Sequence, residues 1–369
     1  MVKIFDVCIR GDGIVGQTLA LLLAKERLRV GLVVAPPPAV LAPDVRAYAL
    51  SSSSKQLLES LRVWPSPELA TPVRTMHVYG DDGGAVMFDA ASAGQEALAW
   101  IVDVPSLEKN LADACRFQSQ IETIHEPLDA ALTVICEGQK SSSRAVVSAQ
   151  WSRKPYAQKA LAARLVGSVA HGGAARQWFA GGDVLALLPM GGAAGNTVGL
   201  VWSVSNERAD KLAGLSAPDF SAAVMAECGA QIGQLELKSS IASWPLALST
   251  AERWVGPGWA LAGDAAHTVH PLAGQGLNLG LADAACLAGV LAKREYWRSL
   301  GDEKLLRRYE RARKAEVAAV GAVTDGLQSL FAQTGAPWQS MRNWGMNGFA
   351  ASQPLKNWLM RRAAGKPAG

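Results

Sequence analysis

Residues 4–34 place the tightest constraint on what this chain can fold into. An apolar run of β character, Ile4 to Ile9, leads directly into GDGIVG, Gly11 to Gly16. Gln17 to Lys25, rich in Leu and Ala, reads as a helix, and Arg29 to Val34 as a buried strand. Glycines at this spacing let the chain turn tightly, bring its backbone close to a phosphate and pack the helix on the strand. The motif alone is weak. Set within about 30 residues of strand, turn, helix and strand, it predicts a dinucleotide-binding βαβ unit. The carboxylate that accepts hydrogen bonds from the ribose in such units normally stands roughly 20 residues past the glycines. That position is Ala35 here, followed by Pro36, Pro37 and Pro38.

Further along, Arg46 to Leu50 and a helix over Ser52 to Leu61 are expected. MHVYG, the turn DDGG (Asp81 to Gly84) and AVMFDA then predict an antiparallel hairpin, foreign to a parallel sheet. Ser106 to Cys115 reads as helix and Leu132 to Cys136 as buried strand. Residues 153–204 alternate strand-like segments with GG turns, before helical patches at Glu207–Leu212 and Phe220–Gln231. Trp259 to Ala262 is another apolar strand, and Lys304 to Ala332 is helical. The interleaving predicts a doubly wound nucleotide-binding domain from 1–73, 99–150 and 251–330. A β-rich substrate domain is expected from 74–98 and 151–250, with a helical tail over 331–369.

At 369 residues, with 49% hydrophobic and 18% charged residues, the chain can build substantial cores. A net charge of +4 gives no support for nucleic-acid binding. The five cysteines are scattered without a CxxC, as expected of reduced thiols in a cytoplasmic protein. His267 and His270 lack the accompanying ligands of a metal site. Met1 runs into strand without a targeting pattern, and no apolar run reaches the roughly 18 residues of a membrane span.

The second informative stretch is GDAAHTVHPLAGQGLNLGLADA, from Gly263. Asp264 follows a buried strand, where a carboxylate can meet ligand hydroxyls at the sheet's C-terminal edge. Gly274, Gly276 and Gly280 permit close backbone approach to a flat ligand. The first N–H groups of the following helix favour negative charge there.

This stretch resembles the second FAD motif of flavoprotein aromatic hydroxylases with the p-hydroxybenzoate hydroxylase fold. The branch it is most similar to comprises the ubiquinone-biosynthesis hydroxylases that act on polyprenylated phenols. RAYALSSSSKQLLESLRVW (Arg46 to Trp64), Tyr156 to Met190 and MRNWGMNGFAASQPLKNWLMRRAAG (Met341 to Gly365) also resemble that branch, in the same order. The resemblance implies an α/β fold: an FAD/NAD(P)-binding Rossmann-like domain with an inserted antiparallel β-sheet substrate domain and a C-terminal helical segment. It implies that Gly11, Gly13 and Gly16 hold the pyrophosphate and that Arg46 lies near the flavin. Gly263 and Asp264 would meet the ribityl or pyrophosphate region, with Pro271, Gly274, Gln275, Gly276, Leu277 and Asn278 along the isoalloxazine.

The family pattern is altered at several positions facing the cofactor. Besides Ala35, Pro105 stands where an Arg normally opens a helix. The Asp-Gly element of the form GADGxxSxxR reads ICEGQKSSSR, with Glu137 for Asp while Gly138, Ser141 and Arg144 remain. Arg10 replaces a small residue before the glycines and could supply a phosphate charge. Only about 17 residues separate the helix ending near Cys115 from the strand at Leu132, so the family's β-meander is expected to be trimmed.

The implied activity is FAD-dependent monooxygenation of a polyprenylated phenol or other quinone precursor. It would proceed through a flavin C4a-hydroperoxide, with NAD(P)H or another donor as reductant. No catalytic residue is assigned: His267, Thr268 and His270 are expected to be structural. Leu185, Leu187, Leu188 and Trp202 are candidates for the pocket wall. In the tail, Trp344, Trp358, Leu359 and Met360 lie beside Lys356, Arg361, Arg362 and Lys366. That mixture suits peripheral contact with the inner membrane, or docking on other ubiquinone-biosynthesis proteins. The altered contacts leave a second reading open, a non-catalytic scaffold that binds a lipid intermediate. A third is a flavoprotein oxidoreductase of the same fold acting on another substrate.

Overall fold

The computed structural model describes residues 5–35, 44–80, 84–139, 141–147, 149–229, 232–269 and 275–332. The chain opens with β1 (Phe5–Arg10), α1 (Ile14–Lys25), β2 (Val30–Val33), β3 (Ala47–Leu50) and α2 (Ser52–Ser60). Next come β4 (Ala70–Val73), β5 (Thr75–Tyr79), β6 (Ala85–Asp89), β7 (Ala99–Asp103), α3 (Val104–Arg116), β8 (Ile121–Ile124) and β9 (Ala130–Ile135). The short α4 (Ser143–Val146) precedes β10 (Trp151–Gly167), β11 (Ala174–Ala180), β12 (Asp183–Pro189) and β13 (Thr197–Ser205). Then follow α5 (Asn206–Ala213), α6 (Ala217–Cys228), β14 (Leu235–Leu237) and β15 (Ala242–Ala251). The last described elements are β16 (Val255–Gly256), β17 (Trp259–Leu261), β18 (His267–Thr268), α7 (Gln275–Ala292) and α8 (Glu303–Ala332).

Six strands form a sheet in the order β16-β17-β9-β1-β2-β8, parallel except for β16. Val7 and Ile9 of β1, Leu132 and Val134 of β9, and Leu19 and Leu23 of α1 are all in one core. Burial on both sides is the reason these strands read as continuous apolar runs. β8 is a short edge strand paired with β2. The segment between α3 and β9, where the meander was expected to be trimmed, holds this one strand, which extends the parallel sheet.

The second sheet runs β18-β15-β10-β13-β12-β11-β5-β6, with β14 also paired to β10. The predicted hairpin is present as antiparallel β5 and β6, although β5 also pairs in parallel with β11. Its turn at Asp81 lies outside the described residues. A small sheet, β3-β7-β4, completes the strands.

Helix α7 has the length and composition of a membrane-crossing segment, which differs from the expectation that no apolar stretch is long enough. In the fold it packs on α1 and α8, with the wholly buried Asp283 in its middle. Core packing accounts for its apolarity.

Candidate cofactor site

The three glycines of GDGIVG have three distinct surroundings. Gly11 has φ +110°, and a Cβ there would lie 2.7 Å from the Cys136 carbonyl. A Cβ on Gly16 would lie 2.0 Å from the Gly11 carbonyl oxygen, so this glycine lets α1 close onto the turn. Gly13 caps α1 without a side-chain hydrogen bond, and a Cβ there meets nothing within 4 Å. One glycine makes the turn, one packs the helix, and one faces open space at a helix N-terminus.

The C-terminal motif interlocks with this turn at Val15. Cβ atoms on Gly263 and Gly280 would approach Val15 Cγ2 to 3.3 and 2.7 Å. Gly280, expected to serve ligand approach, instead lets α7 cross α1, a correction to the sequence reading. Among the described residues, nothing lies within 4 Å of a Cβ on Gly276.

Asp264 sits in the tight turn after β17. Burial pushes its carboxyl above the ordinary range, Asp283 adds to that, and His267 and Arg46 pull the other way without prevailing. Among the described residues its carboxylate has no hydrogen-bond partner. Arg46 is held by Asp44, with Nε 2.9 Å from both carboxylate oxygens, and reaches Glu108 of α3 at 3.4 Å. The hydrogen bonds that Arg46 donates to Asp44 raise its guanidinium above the usual value.

Asn278 is committed to the β3–α2 turn. Its Oδ1 accepts from Ser51 N–H at 2.9 Å and Ser54 Oγ at 2.7 Å, and its Nδ2 donates to the Ala49 carbonyl at 2.8 Å. Gln275, Gly276 and Leu277 are half-buried at the start of α7. Pro271, Gly274 and His270 lie outside the described residues, as does the tail from residue 333.

Sequence reasoning missed the group that holds this region together. Asp283, fully buried, accepts from Gly263 N–H at 2.9 Å, His267 Nε2 at 2.6 Å and Arg313 Nε at 2.7 Å. Arg313 comes from α8 and also donates to the Leu279 carbonyl. His267 stacks on the buried Trp254, with ring centroids 4.8 Å apart. Thr268 bonds Ser249 Oγ and the Ala247 carbonyl. These roles of His267 and Thr268 are structural.

The altered family positions are also placed. Ala35 is exposed. Pro105 lies in the first turn of α3, where its missing N–H is harmless. The adjacent N-cap Asp103 accepts from Ser106 N–H and pairs with Arg164 of β10 at 2.5 Å. Glu137 accepts from Ser141 Oγ, Ser143 N–H and Ser143 Oγ, and lies 3.3 Å from Arg10 Nε. Arg144 reaches the Ala265 carbonyl at 3.5 Å and covers the Trp151 ring.

Strand alternation corrects the expected pocket wall. Leu185, Leu187 and Trp202 face α5 and α6, in one core with Phe220 and Val224. Leu188 points to the opposite face, against the cluster of Ala47, Ile101 and Met190. That face is floored by small side chains, Ala160, Ala162, Ala186, Val201 and Ser203, in register across β10, β12 and β13.

Residues 85–324 match the FAD-binding-domain family. The chain belongs to this family. It is 30% identical to the ubiquinone hydroxylase UbiL of Rhodospirillum rubrum, over 98% of this chain and 90% of that protein. It is 28% identical to the 3-demethoxyubiquinol 3-hydroxylase of Escherichia coli, over 98% of each. Its fold is similar to the p-nitrophenol 4-monooxygenase PnpA of Pseudomonas putida, with a TM-score of 0.78 at 15% identity over the whole of both chains.

FAD is the cofactor of this family, and the residues present fit it. Among the described residues, the open space beside Gly13 at the N-terminus of α1 leaves room for a ligand. The unpaired Asp264 carboxylate supplies an acceptor for ligand hydroxyls.

Proposed function

We propose that the protein is an FAD-dependent aromatic-ring monooxygenase that hydroxylates a polyprenylated phenol or related quinone precursor in ubiquinone biosynthesis. The observation that carries this reading is the meeting of both glycine motifs on Val15 beside the unpaired Asp264. End-to-end relationship to two ubiquinone-pathway hydroxylases supports the substrate class. The parallel sheet with its helices serves the cofactor, and the nine-stranded sheet serves the substrate.

Bound FAD, once reduced by NAD(P)H or another donor, supplies oxygen activation for transfer to an electron-rich ring. The chain's own residues position and enclose. N–H groups around Gly13 take the diphosphate, and Asp264 accepts from cofactor hydroxyls. Asp283 fixes the Gly263 turn that carries Asp264. The substrate ring would be received on the face of β10, β12 and β13 turned away from α5 and α6. A phenol is already activated for electrophilic attack, so no protein base is assigned. A lipid precursor would bring the protein to a membrane surface, and contact with other pathway proteins fits the same logic.

The test is to purify the protein, record its visible spectrum and supply a prenylated phenol, reductant and isotopically labelled dioxygen. A flavin spectrum and label in the ring are expected. A colourless protein that excess FAD cannot load would refute the cofactor role and favour the scaffold reading. A loaded protein that only reduces dioxygen to peroxide would refute the assigned substrate class.

A further inference from the structure

Two departures from the family pattern, 127 positions apart in sequence, are joined in space. Arg10 ends β1, opposite Val33 of β2 and Ile135 of β9. The next residue, Gly11, is pressed onto the Cys136–Glu137 peptide, where a Cβ would lie 2.9 Å from Glu137 N. Arg10 and Glu137 therefore flank the glycine turn, with Nε 3.3 Å from Oε1 and each side chain about a quarter exposed. A second pair of departures leaves the ribose carboxylate and the helix-opening Arg absent, at Ala35 and Pro105.

The partners differ in how far they are satisfied. Glu137 accepts from Ser141 Oγ, Ser143 N–H and Ser143 Oγ as well as facing Arg10. Burial alone would raise its carboxyl, but these bonds and the Arg10 charge hold it below the ordinary range. It has little acceptor capacity left for a ligand. Arg10 is the reverse: among the described residues its guanidinium makes no hydrogen bond, and Nε is buried without one. A guanidinium offers five N–H donors, and a single ion contact at 3.3 Å leaves them for something else.

We propose that Arg10 holds the diphosphate of FAD in this chain, with Glu137 as its positioning residue. The anchor on the adenosine half has thereby moved from ribose hydroxyls to phosphate oxygens. The sign of the charge requires that change, since a carboxylate accepts from hydroxyls while a guanidinium donates to phosphate. Glu137 keeps the Arg10 side chain beside the glycine turn when no cofactor is bound. This inference rests on the FAD-binding reading above.

The test uses apoprotein titrated with FAD, followed by flavin fluorescence, with ADP as a competing probe. Arg10→Gln is expected to weaken FAD by about ten- to a hundredfold, the range for a lost charge-assisted hydrogen bond. ADP should weaken by a similar factor, because it carries the diphosphate without the flavin. Arg10→Met preserves the packed stem and gives the same readout if the Gln variant does not fold, judged by circular dichroism. Binding of FAD within threefold of the unchanged protein would overturn the proposal. So would a loss for FAD with none for ADP. Failure of the unchanged protein to take up any FAD would instead defeat the cofactor reading itself.

Discussion

Asp283→Asn isolates the group on which the C-terminal half of the site depends. The carboxylate is fully buried and receives donors from three elements: the turn at Gly263, His267 and Arg313 of α8. The substitution keeps the volume but removes the charge, leaving the Arg313 guanidinium in the core with the Leu279 carbonyl and Glu316. Breaking one side of a buried ion pair destabilises by about 3–5 kcal/mol, mostly through the charge left behind. At about 2–4 °C per kcal/mol for domains of 150–250 residues, the melting temperature should fall on the order of 10 °C. Burial alone raises the Asp283 carboxyl, but His267 and Arg313 hold it below the ordinary range. A depressed folded value means that its stabilisation is complete above about pH 4 and fades as pH falls through the folded value. The variant should therefore melt earlier at neutral pH and show a flatter acid limb. Adding Arg313→Met removes the stranded charge and should recover part of the loss. A melting temperature within about 2 °C of the unchanged protein, or no recovery in the double variant, would refute this account of Asp283.

Gly13→Ala and Gly16→Ala should separate ligand space from packing. The first meets no protein atom and should melt normally while losing FAD affinity. The second must displace the Gly11 carbonyl and should lose both, as read by thermal melts and FAD titration. Asp264→Asn should stabilise the apoprotein at neutral pH and weaken FAD. Burial raises the Asp264 carboxyl above its ordinary value, so its ionised form opposes folding as pH rises through that value. Trp202→Ala should destabilise by about 3–5 kcal/mol yet leave KM for the aromatic substrate unchanged in the folded protein, because Trp202 packs on Phe220. A raised KM would return Trp202 to the pocket wall.

The parts of the site written as glycine were legible in the sequence. Gly11 and Gly16 answer backbone demands that no other residue meets, so their spacing carries the geometry. Asp283 and Arg313 were not legible, since a carboxylate within an apolar helix and an arginine 30 residues later share no spacing rule. The pleat of β12 puts Leu185 and Leu187 on the face opposite Leu188, and nothing in the sequence says which face α5 and α6 cover. β8 escaped notice because a four-residue edge strand carrying Glu122 and Thr123 has no apolar period to read. The partnership of Arg10 with Glu137 depends on β1 and β9 lying side by side, a long-range fact absent from either motif.

The order β17-β9-β1-β2 has a consequence for how the protein is made. Neighbours in this sheet come from residues 5–33, 130–135 and 259–261, and Arg313 must arrive before Asp283 is neutralised. At about 5–20 residues per second, the ribosome delivers Arg313 on the order of 15–60 s after β2. Once residues 121–135 are made, β1 and β2 have both their sheet neighbours, but Leu132 and Val134 of β9 offer an open apolar strand edge until β17 follows. Gly263 and Asp264 are likewise made late, so FAD should load only near the end of synthesis. Truncated chains that end before α8 should accumulate as chaperone-bound, colourless species, however intact their first glycine turn.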